Sequence, residues 1–326
     1  MRRREFLTLL SGAIAMRPPA LRAQQSALPI VGFLNLWPLS ARSTSVFQDA
    51  LGEAGFVDGR NVVISYRDAN AQSARLQVLA SELVDQRVAV IVTAALDAGF
   101  AAKAATRTIP IIFTCGSDPT TLTLVRGLIR PDGNIAGVSQ VLPPLAPERL
   151  KIIRELTPDV VMIGFLDTPH ERPSHAQSEL SSVSAAAQAL GIQIEPLEAQ
   201  TNGELNDAFA ALARQRANAL IISPDPFFIS MRPQLTALAK HYAIPTVYPF
   251  SEDAEAGGLV SYGNSNFDIF RQMGLYAARI LKGEKPSDLP IEQPARIALT
   301  INLKTAGALG LTVPQSLLSR AGKVIE

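Results

Sequence analysis

The sequence predicts an α/β protein made of two similar doubly wound parallel sheets, and three observations carry that expectation. Short apolar runs alternate with helical stretches along nearly the whole chain, the pattern of parallel strands covered by helices on both faces. The pattern restarts after about residue 139, with landmarks repeated in order: Gln86-Arg87 and the run up to Thr93 are answered by Gln215-Arg216 and the run up to Ile222. Each copy is followed by a helical stretch and a strand opened by Ile-Pro. Finally, the apolar strands end in polar loops, where open α/β sheets place their ligands.

Ile30–Asn35 (IVGFLN) is the first strand, and Ser43, Thr44 and Ser45 precede a helix over 46–54 that Gly55 stops. Residues 61–66 alternate as a second strand, and 74–86 form a helix with Leu76, Leu79, Leu83 and Val84 on one face. A third strand over 88–92 runs out at Thr93-Ala94-Ala95, followed by an alanine-rich helix over 97–107. A fourth strand, 109–113, ends in Thr114-Cys115-Gly116-Ser117-Asp118-Pro119. A helix over 122–129 and a strand over 135–138 close the first unit.

The second unit opens with a helix over 147–156 and a strand over 160–165, then a polar loop over 167–176 that holds two prolines and two histidines. A helix over 178–190 is stopped by Gly191, as Gly55 stops its counterpart, and 192–195 matches 62–64. A helix over 205–215 leads to the buried strand Ala219–Ile222, which breaks into a loop of Ser223, Pro224, Asp225, Pro226, Phe227 and Phe228. A helix over 235–241 precedes a strand over 244–248, ending in Pro249-Phe250-Ser251-Glu252, and 258–261 echoes 137–139. Beyond the second copy come a long helix over 267–281, a strand over 297–301 and a short helix over 303–309 capped by Asn302. This tail belongs to neither repeat and must pack on one of them.

At 326 residues, with 47% hydrophobic and 18% charged residues, the chain suits two packed domains. The first 23 residues read as an export signal: Arg2-Arg3-Arg4 precedes an apolar run over 6–16 too short to span a bilayer, and Arg3-Arg4-Glu5-Phe6-Leu7 fits the twin-arginine pattern. Without them, 25 basic and 28 acidic residues remain, a balance that favours neither nucleic acid nor an anionic membrane. Cys115 is the only cysteine, so no internal disulfide can form.

Signatures of catalysis are missing: there is no GxSxG, phosphate loop, HExxH or GxGxxG. His170 and His175 sit in a proline-broken loop and His241 at a helix end, so no metal site is expected. Binding groups are better represented. Ser43-Thr44-Ser45 offers hydroxyls and peptide N–H groups at a helix start, a cradle for a carboxylate or phosphate. Thr93, with Ala94 beside it, Thr114, Ser117, Ser139 and Ser261 add neutral donors at strand ends. Asp118, Asp225 and Glu252 offer negative charge for an ammonium group, and Trp37, Phe227, Phe228, Tyr248, Phe250 and Tyr262 offer apolar faces. Such a set suits a zwitterionic or amphipathic small molecule.

Several motifs together resemble the ABC transporter substrate-binding proteins of the tryptophan- and tyrosine-binding group. They are AGFVDGRNVVISYR (54–67), AAKAATRTIPIIF (101–113), SDP (117–119), RPDGNIAGVS (130–139), DPFF (225–228), EAGGLVSYG (255–263), YAARILKGEKPSDLP (276–290) and INLKTAGALGLTVP (301–314). The resemblance implies a type I periplasmic binding-protein fold: two lobes joined by a multi-strand hinge, a solute trapped between them, and no catalysis or cofactor. It implies lobes of 28–140 with about 263–295, and of 144–262 with about 296–326. It further implies a periplasmic monomer that serves an inner-membrane ABC permease and ATPase. The family's strand-end positions fall on Thr93, Ser117, Asp118, Asp225 and the Tyr262 region. Two stretches depart from the group: the loop 167–177 lacks its Asn-rich run, and Thr114-Cys115-Gly116 replaces an apolar-Gly-Gly. A sensor feeding a membrane receptor, or an exported enzyme with a carboxylate-lined cleft, would share most of these features.

Overall fold

The computed structural model describes residues 28–115, 133–139, 145–169, 175–289 and 296–326. The first lobe runs β1 (Ile30–Asn35), α1 (Ala41–Glu53), β2 (Val63–Asp68), α2 (Ser73–Asp85), β3 (Val90–Thr93), α3 (Leu96–Ala105), β4 (Ile111–Cys115) and β5 (Ile135–Ser139). Its strands form one parallel sheet in the order β2-β1-β3-β4-β5. Strand alternation sorts the core onto the two faces: Val31 and Phe33 pack with Phe47 and Leu51, whereas Leu34 packs with Leu76, Leu79 and Leu83.

The second lobe repeats this plan through α4 (Ala146–Leu156), β6 (Met162–Asp167), α5 (His175–Gln188), β7 (Gln193–Glu198), α6 (Asn202–Gln215), β8 (Ala219–Ile222), α7 (Pro226–Ser230), α8 (Arg232–His241), β9 (Thr246–Tyr248), α9 (Ser251–Glu255) and β10 (Val260–Gly263). Its parallel strands stand in the equivalent order, β7-β6-β8-β9-β10. The repeat extends to backbone conformation. Arg87 and Arg216, paired by the sequence match, both leave a helix with positive φ, 54° and 56°, a region that costs an L-residue about 1–2 kcal/mol.

After β10 the chain crosses back to the first lobe, where Ile269, Phe270, Met273 and Tyr276 of α10 (Asn266–Leu281) join the cluster of Val31, Phe33 and Phe47. Gly274 makes the approach to α1 possible, since a Cβ there would lie 2.6 Å from the Phe47 carbonyl oxygen. Leu289 is buried in the same cluster. The tail then returns to the second sheet as β11 (Ala298–Asn302), antiparallel to β10, followed by α11 (Leu303–Ala308), α12 (Gln315–Arg320) and β12 (Lys323–Ile325), parallel to β11. The second sheet is therefore mixed, and α12 and β12 are elements that sequence periodicity did not reveal.

Several boundaries move for local reasons. α1 begins at Ala41 because Ser40 caps it, its side chain accepting the Ser43 N–H at 3.0 Å. α6 begins at Asn202 because Thr201 and Glu204 form a capping box. The expected loop over 167–176 is shorter, since Asp167 ends β6 and His175 opens α5. The loop expected after β8 instead turns into α7, with Asp225 as its N-cap. The expected helix over 122–129 lies outside the described residues. No described helix is long and apolar enough to cross a membrane.

Candidate functional site

In each sheet the strand order reverses between the first and third strands of the unit, and ligands of open α/β sheets bind beyond the carboxyl ends at that point. In the first lobe the switch lies between β1 and β3. Asn35 ends β1 and is 3% exposed; Thr93 ends β3, fully buried, with its hydroxyl donating to the Ile112 carbonyl at a long 3.5 Å. Ala94 packs, partly buried, against the core. Ser43 and Thr44 lie inside the first turn of α1 rather than before it. The Ser43 N–H is taken by the Ser40 hydroxyl and the Thr44 N–H by the Ser40 carbonyl, so the expected cradle of peptide donors is already spent. The Ser43 hydroxyl shares a 2.8 Å hydrogen bond with that of Ser40.

In the second lobe the switch lies between β6 and β8 and carries two carboxylates. Asp167 Oδ1 accepts the Ser223 hydroxyl and the Thr168 N–H, both at 2.8 Å. The Thr168 hydroxyl donates to Asp225 Oδ2 at 2.9 Å, and Asp225 Oδ1 accepts the Phe227 N–H at 2.8 Å. Asp225 thus works as a helix cap and as a tie between the two strand ends. The network holds both carboxylates at the carboxyl edge of the sheet.

One aromatic contact joins the two switch points. Trp37, two residues past β1, places its ring 5.0 Å from that of Phe227. It packs on the second-lobe cluster that contains Phe227, Phe228 and Tyr248. The lobes touch through this pair.

Other expected contacts sit elsewhere. Phe228, Tyr248 and Phe250 close around a void of about 10 Å³, at most water-sized, so Phe228 and Phe250 are core residues in this arrangement. Tyr262 lines a groove of about 750 Å³ with Glu148, Lys151, Glu155 and Arg320. Glu252, expected to meet an ammonium group, is 3% exposed and caps α10 instead: it accepts the Ser265 hydroxyl and the N–H groups of Asn266 and Phe267, the last two at 3.2 Å. Ser117 and Asp118 lie outside the described residues, as do the side chains of Cys115 and Ser139.

The junction between lobes holds groups that sequence reasoning missed. Arg149, 2% exposed, pairs with the fully buried Glu179 at 3.4 Å and donates through Nε to the Tyr262 carbonyl at 2.9 Å. Glu179 accepts the Leu145 N–H at 3.0 Å and the Ala146 N–H. One ion pair therefore grips the chain where it enters the second lobe and where β10 leaves it. Burial pushes the Arg149 guanidinium down from its ordinary range, and Glu179 opposes that shift. Beside Tyr262, Gly263 has no room for a side chain, because a Cβ would lie 1.9 Å from the Pro249 carbonyl oxygen. A second buried pair joins Arg232 to Asp253 at 2.5 Å, and burial raises the Asp253 carboxyl despite Arg232. Charged residues on amphipathic helices gave no sequence signal for these pairs. Asn35 and Asp167 could have been found, since both end the matched runs VGFLN and IGFLD.

Among the described residues no group of three or more His, Cys, Asp or Glu side chains is placed to hold a metal ion. The carboxyl edge of the second sheet thus carries two carboxylates, and that of the first carries Asn35 and Thr93 with Trp37 just beyond β1. The family model described as ABC transporter substrate binding protein matches residues 39–325. The chain is similar to a tyrosine-binding protein of Clostridioides difficile (strain R20291), 27% identical over 265 residues that cover 81% of this chain and 75% of that one. It is similar to an ABC domain from Streptococcus pneumonia solved in complex with L-Trp, at 26% identity and a TM-score of 0.78, covering 92% of this chain and all of that one. A conserved domain protein of Vibrio cholerae superposes with a TM-score of 0.79 at 26% identity, covering 91% and 99% of the two chains.

Proposed function

The chain belongs to the ABC transporter substrate-binding protein family, a solute-binding and non-enzymatic family, and on that premise we propose that it traps an amino acid with an apolar or aromatic side chain between its lobes and presents it to a membrane permease. The observation that carries the ligand class is the polarity of the two switch points. Asp167 and Asp225 stand on the second-lobe edge as acceptors for an ammonium group, and Ser43, Thr44, Thr93 and Ala94 give the first-lobe edge neutral contacts. Trp37, backed by Phe227, offers the apolar face that such a side chain needs. The relatives that bind tyrosine and L-Trp support the same class.

In this reading the open form separates the two edges, and a solute that touches both favours the closed form by its difference in affinity for the two. Ser117, Asp118 and Ser139 belong to the proposed first-lobe edge. Phe228 and Phe250 support Phe227 from beneath, and Tyr262 stands at the end of β10 beside the crossing segment. The lobes are taken as 28–140 with about 263–295, and 144–262 with about 296–326. The reading also includes export through the signal in residues 1–23, by the twin-arginine route, to a periplasm where the protein acts as a monomer beside its permease and ATPase.

The test is calorimetric titration with a panel of the common amino acids, for wild type and Asp225→Asn. The substitution keeps an acceptor for the α7 cap and removes the charge. An aromatic or large apolar amino acid is expected to bind without turnover, and Asp225→Asn to weaken it about tenfold or more, the scale of a lost charge-assisted hydrogen bond. No heat of binding from any amino acid, or equal affinity in the variant, would contradict the reading.

A further inference from the structure

We propose that Asn264 and Asn266, on the crossing from β10 to α10, are donors that hold the carboxylate of the bound amino acid. This rests on the amino-acid reading above and adds a recognition element to it. Asn264 is 5% exposed and Asn266 2% exposed, and the side-chain Nδ2 of each is buried without a hydrogen-bond partner. Buried polar groups without partners are costly and rare. Two within three residues mark a place that a polar group occupies in the working protein.

The surroundings locate that place between the lobes. On the second-lobe side, Gly263 lies against the Pro249 carbonyl, the Asn264 carbonyl accepts the Ser251 N–H at 3.4 Å, and Glu252 grips residues 265–267. On the first-lobe side, the Arg42 guanidinium sits 5.7 Å from the centre of the Phe267 ring. The first turn of α10 therefore lies beside the first turn of α1, which follows the carboxyl end of β1. Asn264 and Asn266 stand where the carboxyl edge of the first sheet meets the second lobe.

The chemistry selects the ligand group. The N–H groups at the start of α10 are already taken by Glu252 and Ser265, so that helix end is filled by the protein's own anion. The donors left over are two side-chain amides, neutral groups that complement the two oxygens of a carboxylate. With Asp167 and Asp225 as acceptors for the ammonium, the two ends of an amino acid are recognised from different segments.

Asn264→Leu and Asn266→Leu, close in volume, test this in the full protein. Affinities for L-tryptophan and L-tyrosine, and for the decarboxylated amines tryptamine and tyramine, would be measured by calorimetry, with melting temperature without ligand as a control. Each variant is expected to lose about tenfold or more in affinity for the amino acids, to bind the amines as wild type does, and to melt no lower than wild type. Unchanged amino-acid affinity in both variants would overturn the proposal alone, as would equal losses for amino acids and amines. Failure of the wild type to bind either amino acid would overturn the underlying reading, and this proposal with it.

Discussion

Both lobes arrange their first five strands alike, β2-β1-β3-β4-β5 and β7-β6-β8-β9-β10, yet the charged side chains buried among the described residues all lie in the second lobe. They are Arg149, Asp167, Glu179, Arg232, Glu252 and Asp253, whereas the first lobe buries only neutral polar groups such as Asn35, Ser43, Thr93, Thr106 and Asn134. The difference follows from what each lobe must hold. The second lobe grips the chain at two of its passages between lobes, through Arg149–Glu179 and through Glu252 on the start of α10. A duplicated frame has thus become asymmetric: the second lobe buries the ion pairs and carboxylates that anchor the joint, and the first lobe buries none among the described residues.

The sharpest way to break that contrast is at the anchor. Glu179→Leu leaves Arg149 buried without its partner, and removing one member of a buried pair costs about 3–5 kcal/mol. Chemical denaturation is expected to show a loss of that size, and the double variant Arg149→Met, Glu179→Leu to recover much of it. A loss below about 1 kcal/mol, the scale of an exposed ion pair, would mean that the pair anchors nothing.

A subtler contrast lies between two tyrosines. Burial, helped by the charge of Asp58, raises Tyr66 in the first lobe from 10.0 to about 12. Tyr248 in the second lobe, 1% exposed, is pushed higher still by burial and then by Asp253. A phenol whose folded pKa exceeds its unfolded value contributes stability that is complete below pH 10.0 and is lost as pH rises above it, because the unfolded chain releases the proton first. For Tyr66 the loss is complete near pH 12, while for Tyr248 it continues beyond. Stability measured against alkaline pH should therefore flatten more in Tyr248→Phe than in Tyr66→Phe. Equal slopes would place the two rings in equivalent environments.

Much of the frame was legible because it rests on local pattern. Apolar runs, the glycines after helices and the repeated Gln-Arg signal located the ten strands of the two units, with ends shifted by a few residues. Caps shifted those ends: Ser40 and Thr201 each begin a helix earlier than apolar spacing suggests, and Asp225 starts one where the pattern suggests a loop. The site was less legible, since residue type does not say which face of a strand or helix a side chain takes. Tyr262 packs against the second-lobe core, Glu252 spends its oxygens on the start of α10, and Asp225 shares its own between the start of α7 and Thr168. Nothing in the sequence pattern singles out Asn264 and Asn266, and only their buried, unpartnered amides set them apart.

The claim that the lobes close on a solute can be read from one side chain. Trp37 is the chain's only tryptophan, and it sits on the contact between lobes, 5.0 Å from the ring of Phe227. Titration with L-tyrosine, with excitation at the red edge where only tryptophan absorbs, reports on that contact alone. A saturable blue shift of the Trp37 emission, with the same midpoint as calorimetric binding, is the expected result. Binding heat with unaltered emission, or no binding of L-tyrosine or L-tryptophan at all, would contradict the clamp.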